Sequence, residues 1–319
     1  MVNGDDPGRD PGHGPGPKRR SGKFLRAAFR HRLFTLGADR LSGGRLSRNH
    51  AKQPTVVRRF EVSMPTWPRA WDGLRIGHFS DLHYGDLMPV ERGIEVIELL
   101  GAEKPDLVAF TGDMVDLECD GAGPLFEATV AIDAPLGAYM VLGNHDLLDD
   151  APQVRTMATE AGIRVLDDEV VHIPRSAATL SHIGAEAHGL AGDHPLVVAG
   201  VDWDKSVKGL GQRVERIAGD NPLLLLAHNP KAFLPAARCG IPLILSGHTH
   251  GGQVASKARP GVNLAVAHRH SAGFYHRDAS TLFVTVGTGS WFPLRVQCPA
   301  EVVVITCRAA EMGVRELDF

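Results

Sequence analysis

The sequence of this 319-residue chain predicts an α/β fold in which central β-sheets are flanked by helices. Short apolar runs recur from residue 74 onward, and such runs are typical of strands that are buried on both faces. Helix-like stretches separate the early runs, and this alternation is typical of a layered α/β domain. The chain is also long enough to bury a sizeable core.

Eight of the apolar runs are predicted as strands. In chain order they are "LRIGHF", "LVAF", "AYMVL", "LVVAGV", "LLLLA", "PLILS", "LFVTV" and "EVVVIT". Two helices are predicted between early strands, at Pro89 to Glu103 and at Pro152 to Ala161.

Composition divides the chain into three parts. Residues 1–17 are rich in Pro, Gly and Asp and are predicted to be a disordered tail. Residues 18–66 are predicted to be a basic leader and linker, because thirteen Lys or Arg and a single acid, Asp39, lie between Pro17 and Arg59. Residues 67–319 are predicted to be the folded domain, with a boundary where Pro65 and Pro68 interrupt the chain. Since the whole chain has a net charge of −3, a leader of about +12 leaves about −15 on the rest.

The basic leader admits more than one role. Apolar residues lie among the arginines from Lys18 to Arg48, namely Phe24, Leu25, Phe29, Leu33, Phe34 and Leu41. Several would share one helical face, which predicts peripheral attachment to an anionic membrane surface. A disordered tail, or a helix packed against the acidic remainder of the chain, is an equally good interpretation. Specific nucleic-acid binding is not expected, because it would leave the apolar residues without a purpose.

The four cysteines are typical of a protein in a reducing compartment. Cys119, Cys239, Cys298 and Cys307 are scattered and form no CxxC pair, so neither a structural zinc site nor a disulfide framework is predicted. No apolar run has the length needed to cross a bilayer. We therefore expect a cytoplasmic protein, attached to the inner face of the membrane if the leader binds lipid.

Metal-competent side chains directly follow five of the predicted strands. They are Asp81 and His83 in "SDLH", Asp113 and Asp116 in "TGDMVD", Asn144, His145 and Asp146 in "GNHD", the single His228, and His248 and His250 in "GHTH". Each motif alone is a weak signal, since a lone DxH or GD is usually a turn. Five such motifs, each at the end of an apolar strand, predict one site at the carboxyl edge of the sheet.

The ordered series D-x-H, GD-x-VD, GNHD, H and GHTH resembles the calcineurin-like metallophosphoesterase superfamily. The longer "GHTHGGQ", with "GLRIGHFSDLHYG", "LAHNP" and "VGTGSWFPLRVQCPAEVVVIT", is similar to one bacterial branch of it. That branch contains phosphoesterases with an N-terminal membrane anchor or export signal, including enzymes that split UDP-2,3-diacylglucosamine. The resemblance covers Leu74 to Thr306 and implies the layered metallophosphoesterase fold. The chain departs from the branch in lacking such an anchor and in an Ala/His-rich stretch, Ser176 to His194, where we expect an enlarged surface loop.

The resemblance also implies two divalent metal ions and a ligand set for each. The first metal would be held by Asp81, His83 and His250, the second by Asn144, His228 and His248, and Asp113 would bridge the two. Imidazole and carboxylate ligands admit Mn²⁺, Fe or Zn²⁺ rather than Ca²⁺, without choosing among them. Two such ions can clamp both the attacking and the leaving oxygen of a phosphoryl displacement.

Further roles follow from the same resemblance. The nucleophile would be a hydroxide that bridges the metals, and His145 would be the general acid. Asp116 would hold the tautomer of His145, a task for which the adjacent Asp146 is poorly placed. Gln253, His268 and Arg269 are candidate substrate contacts, although an exposed connection explains the last two equally well.

The leading functional prediction is a dimetal phosphodiesterase or pyrophosphatase. Its partner would be a phosphorylated lipid or a nucleotide-linked lipid such as a UDP-diacylglucosamine-like molecule. A soluble phosphomonoesterase that acts on proteins or nucleotides is a second function compatible with the sequence. A non-catalytic binding protein is a third, although the intact ligand residues speak against a decayed site.

Overall fold

The computed structural model describes residues 20–175, 183, 194–257 and 262–317. The predicted tail over residues 1–17 and nearly all of the predicted loop over 176–194 lie outside the described residues. The strands are β1 (Val56–Ser63), β2 (Arg75–Phe79), β3 (Leu107–Phe110), β4 (Ala138–Met140), β5 (Arg164–Val165), β6 (Glu169–Ile173), β7 (Leu196–Val201), β8 (Leu224–Ala227), β9 (Leu243–Ser246), β10 (Gly273–Arg277), β11 (Ser280–Val284), β12 (Glu301–Arg308) and β13 (Gly313–Glu316). The α-helices are α1 (Gly22–Arg30), α2 (Ala38–Leu41), α3 (Arg45–Ala51), α4 (Val90–Gly101), α5 (Gly123–Val130), α6 (Ala151–Ala161), α7 (Val207–Ile217) and α8 (Phe233–Arg238). A π-helix, His31–Gly37, joins α1 to α2.

These strands form two sheets. The strand order is β13-β1-β12-β2-β3-β4-β5 in the first sheet and β10-β11-β9-β8-β7-β6 in the second. In the first sheet, β2, β3, β4 and β5 run parallel to one another. In the second, β11, β9, β8 and β7 are parallel as well. The parallel strands of each sheet therefore end at a common edge, where the residues that follow them come together.

The two sheets pack face to face, and helices cover their outer faces. Ile76 and Leu107 of the first sheet share one buried cluster with Leu226 and Leu245 of the second. Helices α4, α5 and α6 pack on the other face of the first sheet, and α7 and α8 on the other face of the second. This helix–sheet–sheet–helix order confirms the predicted layered α/β fold.

All eight apolar runs that were predicted as strands are strands in the structure, and α4 and α6 match the two predicted helices. The prediction missed β1 and the edge strands β5, β6, β10 and β13. The edge strands are only partly buried, so polar side chains interrupt them and no continuous apolar run marks them.

Strand β1 lies inside the folded domain, whereas the sequence-based division assigned it to the leader and linker. It pairs in parallel with β12 over eight residues and antiparallel with β13, and Phe60 is buried in the core. The two arginines that made it resemble the leader are paired with acids. Arg58 Nε lies 2.8 Å from Glu316 Oε1, and Arg59 Nη2 lies 2.5 Å from Glu103 Oε1. The predicted boundary near residue 67 is therefore corrected to the stretch between α3 and β1.

The leader forms helices that pack against this domain. The side chains of Phe24 and Ala27 in α1 are buried, and Arg20 forms ion pairs with Glu118 and Asp149. Of the sequence-based interpretations, the structure thus shows the packed helix, while membrane attachment stays a prediction. Within the part of the chain that the structure describes, no helix combines the length and the apolar character needed to cross a bilayer.

Candidate active site

The predicted metal ligands meet where the carboxyl ends of the two sheets face each other. Asp81 and His83 follow β2, and Asp113 follows β3, all in the first sheet. His228 follows β8 and His248 follows β9 in the second sheet. The ligand-bearing strands thus belong to two sheets rather than to the single sheet edge expected from the sequence.

Three buried side chains form the first ligand group. Nε2 of His250 lies 3.2 Å from Oδ1 of Asp81 and 3.0 Å from Nε2 of His83. The backbone amide of His248 donates to both carboxylate oxygens of Asp81 at 3.0 Å, which fixes the orientation of that carboxylate. One ligand atom from each of the three side chains lies within 4.8 Å of the others. Two imidazoles and a carboxylate that converge in this way suit a divalent transition metal.

A second ligand group consists of Asp113, His228 and His248. Nδ1 of His228 donates to the carbonyl oxygen of Thr111 at 2.6 Å, so Nε2 of the neutral ring carries a lone pair. That Nε2 atom is buried without a hydrogen-bond partner, 3.1 Å from Oδ2 of Asp113. A nitrogen lone pair and a carboxylate oxygen repel each other. They are stable in contact only if a cation lies between them. Burial would lower the pKa of His228, but Asp113 and Asp81 raise it to about 9, so a proton occupies this place when no metal competes.

Asn144 adds an oxygen atom to this region. Its Oδ1 atom is buried and has no hydrogen-bond partner in the described structure. The next amide, that of His145, donates to Oδ1 of Asp113 at 2.7 Å, while Oδ2 of Asp113 faces His228 and His83. Buried polar atoms without a partner are rare in folded proteins. Asn144 and His228 therefore fit the metal-ligand roles that the resemblance implies.

The loops that carry the ligands have backbone conformations that cost free energy. Five predicted ligands have φ between 52° and 73°, namely Asp81, His83, Asp113, His248 and His250. Residues other than glycine rarely adopt this left-handed region, and such strained residues cluster at functional sites. Two glycines make room for the carboxylates, because a Cβ at Gly143 would overlap Asp113 and one at Gly247 would overlap Asp81.

Asp116 is buried beside three histidine rings. Its Oδ1 atom lies 3.2 Å from Nδ1 of His83 and 3.1 Å from Nδ1 of His145, and its Oδ2 atom lies 3.1 Å from Nδ1 of His31. Nδ1 of His145 also donates to the carbonyl oxygen of Asp116 at 2.6 Å. Burial would lower the pKa of His145, but the charges of Asp113 and Asp116 raise it to about 9, so the ring is protonated at neutral pH. The sequence predicted the contact of Asp116 with His145. It predicted neither the contact with His83 nor the contact with His31.

Asp146 holds the loop that carries Asp113, a role that the sequence did not reveal. One of its carboxylate oxygens accepts hydrogen bonds from the amides of Asp113 at 2.8 Å and Gly143 at 2.9 Å. The other oxygen accepts from the amides of Met114 at 2.8 Å and Val115 at 3.2 Å. The position of Asp146 in the "GNHD" motif is the sequence signal that could have identified this role.

Arg295 and Trp203 contact the ligand histidines but belong to none of the five ligand-bearing motifs. The buried guanidinium of Arg295 donates to backbone carbonyls of residues 286–298, and its Nη2 atom lies 3.5 Å from Nδ1 of His250. The Trp203 ring packs against the rings of His228 and His248, with centroid distances of 5.4 and 4.7 Å. Trp203 follows the predicted strand "LVVAGV", and this position was the signal that could have identified it.

The three candidate substrate contacts differ in position. Gln253 is 2% exposed, and its amide group donates to two backbone carbonyls and accepts from one amide of residues 291–294. The side chain of Gln253 thus anchors that segment, and its contact with substrate stays a prediction. The ring centroid of His268 lies 5.3 Å from that of His248, beside the second ligand group. Arg269 lines a cavity of about 350 Å³ whose lining includes no predicted ligand.

Comparison with known proteins shows the family. Residues 74–252 match the calcineurin-like phosphoesterase family. The chain is 28% identical over 299 residues to metallophosphoesterase YkuE of Bacillus subtilis (strain 168), which covers 90% of this chain and 99% of the relative. It is also 28% identical over 263 residues to a metallophosphoesterase of Aquifex aeolicus (strain VF5), which covers 79% of this chain and 91% of the relative.

A third relative is longer than this chain. It is the transmembrane protein with metallophosphoesterase domain of Bos taurus, 29% identical over 281 residues, which cover 82% of this chain and 59% of the relative. Members of the family normally hold a dinuclear divalent metal site, and the two ligand groups described above are candidates for it. Because the match extends over more than half of the chain and includes all five ligand-bearing motifs, this chain belongs to the calcineurin-like phosphoesterase family, whose members hydrolyse phosphoesters.

Proposed function

We propose that this protein is a dinuclear metal-dependent hydrolase of phosphodiester or pyrophosphate bonds. The observation that carries the proposal is that Asp113, a member of the second ligand group, also faces His83 of the first. Its Oδ2 atom lies 3.1 Å from Nε2 of His228 and 3.7 Å from Nε2 of His83. A carboxylate that faces both groups is suited to bridge a pair of neighbouring metal ions.

The ligand chemistry narrows the choice of metal. Imidazole nitrogens with a few carboxylate and amide oxygens favour Mn²⁺, Fe or Zn²⁺ over Ca²⁺, which prefers oxygen ligands throughout. When bound, such a pair would polarise the phosphoryl group and lower the pKa of the attacking water. The chain itself contributes the rigid spacing of the ligands, through the strained turns after β2, β3 and β9.

His145 is the proposed proton donor to the leaving oxygen. Because Nδ1 is bonded to the carbonyl oxygen of Asp116, Nε2 is the ring nitrogen left to face a substrate. The side chain is 18% exposed, the carboxylate of Asp116 stabilises its charged form, and its raised pKa keeps a proton available at neutral pH.

An apolar surface beside the site supports a phosphorylated lipid or nucleotide-linked lipid as the substrate. Fourteen large apolar side chains are exposed in the described parts of the chain, and ten of them fall in three segments. These ten residues, which we call the apolar rim, are Leu25, Phe29, Leu33, Phe34, Leu41, Val262, Leu264, Val266, Trp291 and Val296. Concentrated apolar surface of this kind marks an interaction site.

Hydrogen bonds join the three segments of the apolar rim to one another. Oγ1 of Thr35 in the leader donates to the carbonyl oxygen of Trp291 at 2.8 Å. The amide of Leu264 donates to the carbonyl oxygen of Val254 at 3.0 Å, and Val254 forms a bridge with Val296. The leader, which carries five residues of the rim, also reaches Asp116 of the site through His31.

We further propose that residues 18–48 attach the protein to the cytoplasmic face of an anionic membrane. Exposed basic side chains lie among the leader residues of the apolar rim, including Lys23, Arg26, Arg30, Arg32 and Arg40. Basic and apolar side chains on one helical segment are typical of helices that lie among lipid headgroups. Attachment would bring a lipid substrate to the site, in keeping with the resemblance to enzymes that split UDP-2,3-diacylglucosamine.

The experiment is a hydrolysis assay of the full-length chain with bis-p-nitrophenyl phosphate and p-nitrophenyl phosphate, each with added Mn²⁺, Fe²⁺ or Zn²⁺. We expect a higher kcat/KM for the diester, loss of activity with a chelator and its return with metal. A higher kcat/KM for the monoester would favour the phosphomonoesterase instead. Hydrolysis of neither compound with any metal would refute the proposal and favour a binding protein. Parallel assays with UDP-2,3-diacylglucosamine test the lipid class.

A further inference from the structure

The leader places a histidine next to the catalytic region. His31 immediately follows α1, where the backbone changes from an α-helix to the π-helix over His31–Gly37. π-Helical turns are rare and are frequent at functional sites. Three leader residues at spacings of three or four from one another or from His31 are buried. They are Phe24, Ala27 and Thr35. His31 thus lies on the packed face of the leader, and its side chain is 9% exposed.

Both ring nitrogens of His31 face carboxylates. Nδ1 lies 3.1 Å from Oδ2 of the buried Asp116, and Nε2 lies 2.8 Å from Oδ2 of Asp86. Asp86 is exposed, so it holds the ring from the solvent side while Nδ1 points inward. A histidine held at both nitrogens has a fixed ring plane, which is what a residue that positions a neighbour requires.

Asp116 shares its two oxygens among three rings. Its Oδ1 atom faces both His83 and His145, at 3.2 and 3.1 Å from their Nδ1 atoms, whereas Oδ2 faces His31. Rotation of the carboxylate would weaken the two Oδ1 contacts together. The bond to His31 opposes that rotation, because it fixes the second oxygen.

We propose that His31 is a positioning residue of the active site, which holds the Asp116 carboxylate in the orientation that fixes His83 and His145. The leader then contributes one positioning residue to the active site. This inference rests on the proposed function, in which His83 binds metal and His145 donates a proton.

The test compares full-length His31→Ala and His31→Asn with the wild type on bis-p-nitrophenyl phosphate at saturating Mn²⁺. We expect His31→Ala to lower kcat about 10–100-fold, the usual effect of losing a group that holds a metal ligand, with KM nearly unchanged. His31→Asn should recover much of kcat, because the Asn amide nitrogen can take the place of Nδ1 and donate to Asp116.

Two control variants separate positioning from simple packing of the leader. Thr35→Val removes the hydrogen bond to Trp291 but keeps the side-chain shape, and His50→Asn removes the other histidine of the leader. Both should retain a kcat close to that of the wild type. Equal losses in His31→Ala, His31→Asn and Thr35→Val would show a packing role and overturn the inference. So would a His31→Ala variant with the kcat of the wild type.

A measurement without substrate separates this inference from the proposed function. Asp116 raises the pKa of His31 through its hydrogen bond, against the opposing effect of burial, and Asp86 raises it further. NMR titration of the full-length chain should therefore show a fall in this pKa in Asp116→Asn, with the His31 signal assigned by its absence in His31→Asn. An unchanged pKa in an active enzyme would overturn this inference alone. A wild-type chain that hydrolyses no phosphoester would overturn the proposed function, and the positioning role with it.

Discussion

The site contains two buried carboxylates with different roles. Asp113 supplies negative charge, and Asp146 holds a loop in place. Burial raises the pKa of Asp113, but His228 and His145 lower it below its usual range, so this group is charged and available to cations. Burial and the charge of Asp113 raise the pKa of Asp146 to about 6. Four backbone amides occupy the oxygens of Asp146, which therefore serves the loop rather than a ligand.

Replacing Asp113 with Asn tests the bridging role. The amide keeps the size of the side chain but removes the negative charge that faces His83 and His228. We expect the variant to lose bound metal and nearly all phosphoesterase activity, while circular dichroism shows an intact fold. Elemental analysis that finds two equivalents of metal, together with activity near that of the wild type, would reject the assignment.

Replacing His145 with Ala separates the proton donor from the ligands. The variant should keep both metals and lower turnover by about 10²–10⁴-fold, the usual contribution of a general acid. The loss should be smaller for esters with good leaving groups, because these need less protonation. A series of phenyl phosphodiesters provides the measurement, and equal losses across the series would speak against the general-acid role.

Replacing Asp146 with Asn tests the support of the Asp113 loop. One accepting oxygen becomes an NH₂ group that faces backbone amides, and a buried group left unsatisfied costs about 1–3 kcal/mol. We therefore expect a fall of this size in the free energy of unfolding, measured with urea. Asp150→Asn is the matched control, because Asp150 caps α6 and Asn caps helices equally well. Equal stability of the two variants would contradict the role given to Asp146.

At the scale of the elements, a strand is easiest to predict from the sequence when both of its faces are buried. Strand β8 was predicted because each of its residues is buried, which leaves an uninterrupted apolar run. Strand β1 was missed because Arg58 and Arg59 resemble the basic leader, and only their partners in other elements explain them. The convergence of the candidate ligands was predictable, because they follow strands directly. The roles of Asp146 and His31 depend on contacts between distant segments, which no local pattern records.

The place of β1 in the first sheet predicts where the chain can be shortened. A chain that starts at residue 67 lacks β1, so β12 loses its parallel partner and an apolar strand edge is left unpaired. It also loses the buried Phe60 and Val62, each worth about 1.5–3 kcal/mol. We expect this form to aggregate, whereas a chain that starts at residue 53 should unfold cooperatively on heating. Equal melting temperatures for the two forms would show that β1 is dispensable.

At the scale of the whole molecule, charge and apolar surface are unevenly distributed. The leader is strongly basic while the rest of the chain is acidic, and Arg20 and His31 hold it on acidic residues of the domain. Five basic side chains of the leader are exposed among the leader residues of the apolar rim, namely Lys23, Arg26, Arg30, Arg32 and Arg40. Docking on the domain therefore uses one face of the leader and leaves basic side chains exposed elsewhere on it.

This arrangement makes membrane binding testable without deleting the leader. Sedimentation of the full-length chain with vesicles should increase with anionic lipid content and decrease with salt, because basic side chains near an anionic surface contribute about 1 kcal/mol each. Replacing Arg26, Arg30 and Arg32 with Gln should weaken binding about 10²-fold at low salt on that scale. Phe29→Ser with Phe34→Ser should weaken it as well, whereas Val207→Ser, an exposed apolar residue outside the rim, should not. If the wild-type chain stays in the supernatant at low salt, the membrane proposal is wrong. The candidate metal site would be unaffected by that result, because its predicted ligands belong to the turns that follow the strands of the two sheets.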